Sequence, residues 1–516
     1  MSSLEADTPK AEPVAERSSA PLIGTSLHTL TRTLGAGALA TIFQYVVTLA
    51  AFPFLVHRVG SETFGAWTAI ASLLAVGALA DAGARAEIVR RIGTALGNGD
   101  MAELKRSLRI GVGLLTLAGV LVAVVGIALA SFIRAFTFPE GVRGYGGDGL
   151  DWVLRATILL LATQLVIDGH FAALRGVQRG DIEPIAIIAG VLPGTAAMLT
   201  LAYAGLGLWA LFLGTLANAL TRWVVQAVAM RRLLPGLGFG IVIPSGRVAR
   251  SFLGFSALVL LSQVSDVVDS QWDKVVLARF VGPASVAFFA VGTMMLVQLK
   301  AVAVIPLTPI LAAVPELGSR DPAKLEVTFS LLTRLGAALG SVLLTLAFVL
   351  GPAFFLLWLG PEFKLAGSAL RLFAIAVAIN LVSAPAAIRC IGQGWHRIAA
   401  VSALTNICVN GILSFVLAAR LGFNGPLYGS IAGNAAGVAV FYALLWRRSR
   451  DAWTLPRLGA PILGAAVGAI TIIAGLDKPT TWWGLVATTL VLGLALAGVS
   501  AMAERLPVRS FVRSRR

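Results

Sequence analysis

The residues best suited to chemistry in this 516-residue chain are charged groups embedded in long apolar runs. Asp266, Asp269 and Asp273 are spaced i, i+3 and i+7, which puts three carboxyls on one helical face; Ser262 and Gln263 continue the stripe. Lys300 follows midway along the next apolar run and is expected to pair with Asp266 or Asp269. Asp81 and Arg85 stand one helical turn apart as an i,i+4 ion pair. Arg222 lies inside another run beside Trp223, and Asp168 and His170 are two apart in a fourth. The titration range of histidine makes Asp168 and His170 candidates for proton coupling. An ionisable side chain at bilayer depth costs about 2.5–3.5 kcal/mol on insertion scales, so these groups should face protein or a wet cleft. The chemistry they suit is reversible: ion pairing, proton exchange and hydrogen bonding to an anionic or hydroxyl-rich cargo.

Nothing points to covalent catalysis. The four histidines form no HExxH, there is no glycine-rich phosphate loop ending in Lys-Ser/Thr, and Cys390 and Cys408 both sit in apolar runs. No catalytic residue, metal or cofactor is expected, and the chain reads as a non-enzyme. Connections such as 133–151 and 230–251 are too short to hold a catalytic domain.

The elements that must position these residues are membrane helices. Hydrophobic residues make up 57% of the chain and charged residues 13%, against roughly a quarter charged in soluble domains. Mean hydropathy is +0.87. Windows of about 20 apolar residues recur from 35–57 to 483–503 and predict about fourteen spans in an all-α polytopic membrane protein. The net charge of +16 does not form a nucleic-acid-binding face, and no nucleic-acid partner is expected. Instead the arginines punctuate alternate connections: Arg85, Arg90 and Arg91 after the second span, Arg231 and Arg232 after the sixth, Arg447 and Arg448 after the twelfth, and Arg513, Arg515 and Arg516 at the end. Lys/Arg-rich connections stay on the cytoplasmic side, so both termini are expected there. Pro306 and Pro309, in the inner half of the eighth span, are candidate hinges because each removes a backbone donor.

The chain also repeats itself. Ala173-Leu174-Arg175-Gly176-Val177 with Gly180 recurs as Ala387-Ile388-Arg389-Cys390-Ile391 with Gly394 at a constant offset. Leu55–Gly60 resembles Leu277–Gly282, and 202–214 resembles 419–429. The repeats predict two six-span lobes related by an axis along the membrane normal, with a cleft between them. The expected division is a cytoplasmic tail at 1–34, an N-lobe at 35–230, a linker at 231–251, a C-lobe at 252–446, an appended helix pair at 447–503 and a basic cytoplasmic tail at 504–516.

The segments PFLVHRVGSETFGAW, ADAGARAEIVRRI, DKVVLARFVGPASVAFFAV, LWLGPEFKLAGSALRLFAI and LGFNGPLYGS, in that order, resemble the polysaccharide transporter branch of the multidrug/oligosaccharidyl-lipid/polysaccharide flippase superfamily. The resemblance runs from about residue 35 to 446, and departs at Phe288-Phe289, where members commonly carry a tyrosine. It implies a flippase of the bacterial inner membrane. By alternating access it would move polyprenyl-diphosphate-linked oligosaccharide to the outer leaflet for exopolysaccharide, capsule or O-antigen (lipopolysaccharide) assembly. The implied partners are that lipid-linked substrate, membrane lipids and a polysaccharide polymerase or export machinery. Arg85, Arg222 and Lys300 would meet the diphosphate, and Asp81, Asp266, Asp269 and Asp273 would join them along the cleft. A cation-coupled multidrug antiporter and a peptidoglycan-precursor flippase are the alternatives within the same superfamily.

Overall fold

The computed structural model describes residues 27–81, 83–233, 240–242, 245–246, 264, 267, 271–304, 342, 344–392, 395–448 and 481–505. Lipid offers no hydrogen bonds to the backbone, so an apolar run that crosses a bilayer satisfies its own peptide groups as a helix. The described chain is accordingly helical, with one isolated bridge between Val142 and Tyr145. The helices are α1 (Leu27–Val59), α2 (Ser61–Gly77), α3 (Ala84–Gly97), α4 (Met101–Thr137), α5 (Gly147–Gly176), α6 (Ile182–Tyr203) and α7 (Leu208–Leu233). They are followed by α8 (Asp273–Phe280), α9 (Pro283–Val304), α10 (Leu344–Leu359), α11 (Lys364–Gly392), α12 (His396–Leu421), α13 (Gly425–Arg448) and α14 (Trp482–Arg505). Seven helical stretches among the described residues are long and apolar enough to cross a bilayer, and three shorter apolar helices accompany them. Large apolar side chains stand exposed along α4 and α14, including Leu121, Val124, Phe132, Trp483 and Leu490. An apolar surface of that extent identifies lipid, rather than water, as its solvent.

The repeat seen in the sequence is a repeat of packing. α6 pairs with α7 as α12 pairs with α13; α1 lies on α6 as α8 lies on α12; α5 touches α7 as α11 touches α13. The corresponding turns Gly60 and Gly282 have φ of 89° and 106°, left-handed values that glycine adopts without a Cβ penalty. Each lets a helix reverse within one or two residues. These turns, with Gly205, Gly360 and Gly422, mark one end of the bundle, called here the short-turn side. Arg90, Arg91, Arg175, Arg231, Arg447 and Arg448 mark the opposite, arginine side.

The segment after the second span, read from sequence only as a charged connection, contains α3. Ala84, Ile88, Ile92 and Ala95 form its buried stripe, which packs on α4 and α5, and Arg90 projects outward. Glu87 is buried in the same helix and is bound by Arg90 Nε at 2.7 Å and Arg91 Nε at 2.7 Å. Burial opposes its charge, but these two guanidiniums outweigh that and hold the carboxyl below its ordinary range.

The two larger apolar cores among the described residues lie at different depths. On the arginine side, α3, α4, α5 and α7 of the N-lobe share a core around Ile88, Leu104, Leu115 and Leu174. On the short-turn side a larger core runs through both lobes, joining Phe52, Leu55 and Ile70 to Phe288, Phe355 and Phe363. The lobes also meet backbone to backbone there. A Cβ added at Gly65 of α2 would lie 1.7 Å from the Pro283 carbonyl oxygen of α9. Only a residue without a side chain permits that crossing.

Candidate functional site

A cavity of about 780 Å³ lies between the lobes, lined by α1, α2, α6 and α7 on one side and by α9, α11, α13 and the start of α8 on the other. Its roof on the short-turn side is aromatic. Phe52 meets Phe64 with ring centroids 5.0 Å apart, and reaches across to Trp358 at 5.6 Å and Phe363 at 6.4 Å. Phe288 stands edge-on to Phe363 at 5.1 Å. Above the rings, Ser61 of the N-lobe donates to Glu362 Oε1 of the C-lobe at 2.6 Å. The lobes are therefore shut together over the cavity on this side.

Below the roof the lining becomes polar. Amides and hydroxyls of Gln44, Thr48, Thr215, Asn218, Thr293 and Asn380 face the space. Asn380 Nδ2 donates to Asn434 Oδ1 at 3.2 Å, tying α11 to α13. Among the described lining residues Lys274 is the single ionisable group, and no carboxylate accompanies it. Lys274 Nζ donates to Gln271 Oε1 at 2.9 Å, one turn earlier. An ammonium carries three donors, so the amide leaves capacity for an anion. Asp273, next in the chain, faces the other way: it is 1% exposed, receives the Ser430 hydroxyl at 2.6 Å and does not line the cavity. Expected at the cleft, Asp273 instead ties α8 to α13. The sequence drew attention to the acid stripe and hid the lysine on the neighbouring face; the available signal was the Gln271–Lys274 spacing of one turn.

A second pocket, of about 330 Å³, lies within the N-lobe toward the arginine side and shares no lining residue with the first. It brings the predicted Asp81–Arg85 pair together with Asp168 and Arg222, which the sequence places on other spans. Asp81 is 2% exposed, accepts from Arg85 Nε at 2.5 Å and turns one oxygen to the Gly83 N–H at 2.6 Å. Arg85 also reaches Asp168 at 3.7 Å. Arg175, noticed in the sequence only as part of a repeat, joins this pocket and donates through Nε to Glu183 at 2.8 Å. Its neighbour Gly176 abuts Ile92, seating the end of α5 on α3. Arg179 pairs with Asp181 at 2.9 Å. His170 stands apart from Asp168: it is buried, with Nδ1 donating to the Val166 carbonyl at 3.0 Å, and faces neither pocket. Asp266, Asp269, Pro306, Pro309 and the side chain of Lys300 lie outside the described residues.

No group of three or more histidine, cysteine, aspartate or glutamate side chains suited to a metal ion occurs among the described residues. What the sites offer is non-covalent: one lysine with amides and hydroxyls beneath an aromatic seal in the cavity, and arginines with carboxylates in the N-lobe pocket.

Known proteins bear on this geometry as follows. Residues 115–366 match the family described as polysaccharide biosynthesis protein. No curated protein matches the chain. Among solved structures, a lipid II flippase MurJ in an inward closed conformation superposes with a TM-score of 0.68 at 10% identity, over 92% of this chain and 99% of that one. An inward-facing multidrug resistance MATE family transporter of the MOP superfamily gives 0.60 at 17% identity, over 80% and 96%. A MOP superfamily transporter from Pyrococcus furiosus, whose binding pocket is described as reversed in polarity, gives 0.57 at 15% identity, over 82% and 96%. At these identities the likeness is one of fold. The chain shares the all-helical fold of these solved structures.

Proposed function

We propose that this membrane transporter translocates a polyprenyl-diphosphate-linked oligosaccharide from the cytoplasmic to the outer leaflet of the bacterial inner membrane, feeding surface polysaccharide assembly. The single observation that carries the reading is the cavity's charge: one lysine, Lys274, among amides and hydroxyls, with no carboxylate among the described lining residues. That lining suits an anion bearing sugars. A diphosphate would take charge-assisted hydrogen bonds from Lys274, while Gln44, Asn218, Asn380 and the threonines exchange hydrogen bonds with sugar hydroxyls. The prenyl tail, which has no use for a polar cavity, would remain in lipid between the lobes. The match to a polysaccharide biosynthesis family supports the same cargo class.

In this reading the arginine side faces the cytoplasm, as the positive-inside rule requires, and the aromatic roof is the seal toward the outside. Alternating access then consists of parting the Phe52–Trp358–Phe363 contacts while the arginine side closes. An inside-negative potential of 100 mV assists each outward-moving negative charge by about 2.3 kcal/mol, so a dianionic headgroup crossing the whole field gains about 4–5 kcal/mol. No covalent step is needed and the protein acts as a carrier, not an enzyme. A polysaccharide polymerase or export complex would receive the product on the outer face.

A shared fold leaves cargo open, since function lies in the site. The alternative cargoes are the cationic drug of a cation-coupled antiporter and the peptidoglycan precursor. The deciding experiment is reconstitution of the full chain in vesicles loaded in turn with fluorescent prenyl-diphosphate oligosaccharide, lipid-linked peptidoglycan precursor and a cationic dye. Faster leaflet exchange of the first alone is expected. Movement of the dye alone, or of the peptidoglycan precursor alone, overturns the proposal in favour of that cargo.

A further inference from the structure

The N-lobe pocket and the central cavity are joined by one face of α7. Leu211, Thr215 and Asn218 line the cavity, and Arg222 and Gln226 line the pocket. Their spacing of i, i+4, i+7, i+11 and i+15 is a single helical stripe. Two glycines of α6 make room for it. A Cβ at Gly194 would lie 2.6 Å from Asn218 Cβ, and one at Gly190 would lie 2.8 Å from Arg222 Cγ. The stem of Arg222 thus lies against the α6 backbone, and the residue lines the N-lobe pocket one turn beyond the last α7 residue of the cavity.

Arg222 is also the uncommitted cation of the pocket. Arg85 holds Asp81, Arg175 holds Glu183 and Arg179 holds Asp181. Arg222 forms no ion pair among the described residues, and its buried Nε has no hydrogen-bond partner. An unpaired guanidinium N–H buried at membrane depth is expensive, and an anion placed against it would remove that cost. Depth orders these groups. Arg222 lies about 21 Å along α7 from its short-turn end, and Asp168 about 31 Å along α5, at 1.5 Å per residue. In a hydrocarbon core of about 30 Å starting at the short-turn end, Asp168 reaches the inner headgroup level, where the phosphates of a lipid in that leaflet reside, and Arg222 lies roughly 9 Å further in, toward the cavity. Lys274 lies much nearer the short-turn end, six residues before the end of α8.

We infer that the N-lobe pocket is a staging site for the diphosphate of a lipid-anchored cargo, which Arg222 receives at the inner leaflet and passes along the polar face of α7 to Lys274. The volume of about 330 Å³ is at the small end of ligand pockets, enough for the phosphates and a first sugar. Arg85 and Arg175 enclose the space, and the nearby Asp168 carboxylate keeps anion affinity moderate, so that the headgroup can leave again. This inference rests on the lipid-diphosphate reading given above.

The test measures binding of farnesyl diphosphate, and separately of inorganic pyrophosphate, to the full chain in phosphatidylcholine nanodiscs. Farnesyl diphosphate should bind more tightly than pyrophosphate. Arg222→Gln should weaken it about tenfold or more, the scale of a lost charge-assisted fork, and Arg222→Lys should fall between. Asp168→Asn should tighten binding several-fold, a gain that a folding defect cannot mimic. Unchanged affinity in Arg222→Gln together with no gain in Asp168→Asn overturns the site. Pyrophosphate binding as tightly as farnesyl diphosphate assigns the pocket to free phosphate and overturns the lipid source. Leaflet exchange by the wild-type chain reports on the function separately: exchange with normal binding in both variants removes the staging site alone, and no exchange removes the function with it.

Discussion

Phe52→Ala should unseal the short-turn side. Phe52 makes three ring contacts, but the one to Phe64 lies within the N-lobe and persists in either conformation. Only the contacts to Trp358 and Phe363 cross between lobes and bear on the equilibrium. Each aromatic pair is worth about 0.5–1.5 kcal/mol beyond its buried area, so losing two shifts the balance by about 1–3 kcal/mol. That is roughly a fivefold to 150-fold change in the ratio of closed to open forms. A form open on the short-turn side that is 1% populated in the wild type would rise to between about 5% and 60%. The assay is a distance distribution between spin labels at Glu140 of the N-lobe and Asn424 of the C-lobe, both exposed on the short-turn side, with Cys390 and Cys408 replaced by serine. A second, longer distance should grow in Phe52→Ala and stay absent in a control substitution of Phe132, which faces lipid. An unchanged distribution in Phe52→Ala would show that the rings fill space without holding the lobes together.

Three further outcomes follow from named contacts. Lys274→Gln should slow leaflet exchange of the proposed cargo about tenfold to 100-fold, the worth of a hydrogen bond to a charged group, with Lys274→Arg recovering part of it; equal rates in all three forms contradict the cavity reading. Gly65→Ala should force α2 from α9, because its Cβ meets backbone rather than a movable side chain, and should cost about 1–3 kcal/mol, seen as a lower melting temperature. Glu87 is held below its ordinary range in the folded chain, so its contribution is present above the unfolded carboxyl value and is lost as pH falls through the folded one. Melting temperatures of wild type and Glu87→Gln should therefore differ at neutral pH and converge in acid; a constant gap contradicts the paired carboxylate.

The helical architecture is legible in the sequence because lipid makes it so: apolar runs of span length admit one backbone solution. The glycine turns at Gly60 and Gly282 are legible for a related reason, since a reversal between two long helices needs a left-handed residue and the repeat supplies one at each place. α3 was obscured by its charge. Its stripe of Ala84, Ile88, Ile92 and Ala95 has helical period, but a search for span-length apolar windows passes over it. The site was legible only where partners are local. Asp81 and Arg85 are one turn apart and pair as that spacing demands. Their meeting with Asp168, Arg175 and Arg222 depends on how α5 and α7 pack, which no local pattern encodes. Lys274 illustrates the converse. Three regularly spaced acids drew the eye to one face of its helix, while the cavity belongs to the face carrying Gln271 and Lys274. Asp273, the most C-terminal acid, serves packing through Ser430, the common fate of a buried polar group with a neighbour in reach.

The central claim is that an anionic lipid headgroup occupies the space between the lobes, and the most direct measurement is where its phosphates rest. Single-particle imaging of the full chain in nanodiscs with prenyl-diphosphate-linked oligosaccharide should find phosphate density within about 3 Å of Lys274 Nζ, with sugars toward Asn218 and Asn380. Cargo seated on the lipid-facing surface of α4 or α14, with the cavity around Lys274 empty of it, would contradict the account.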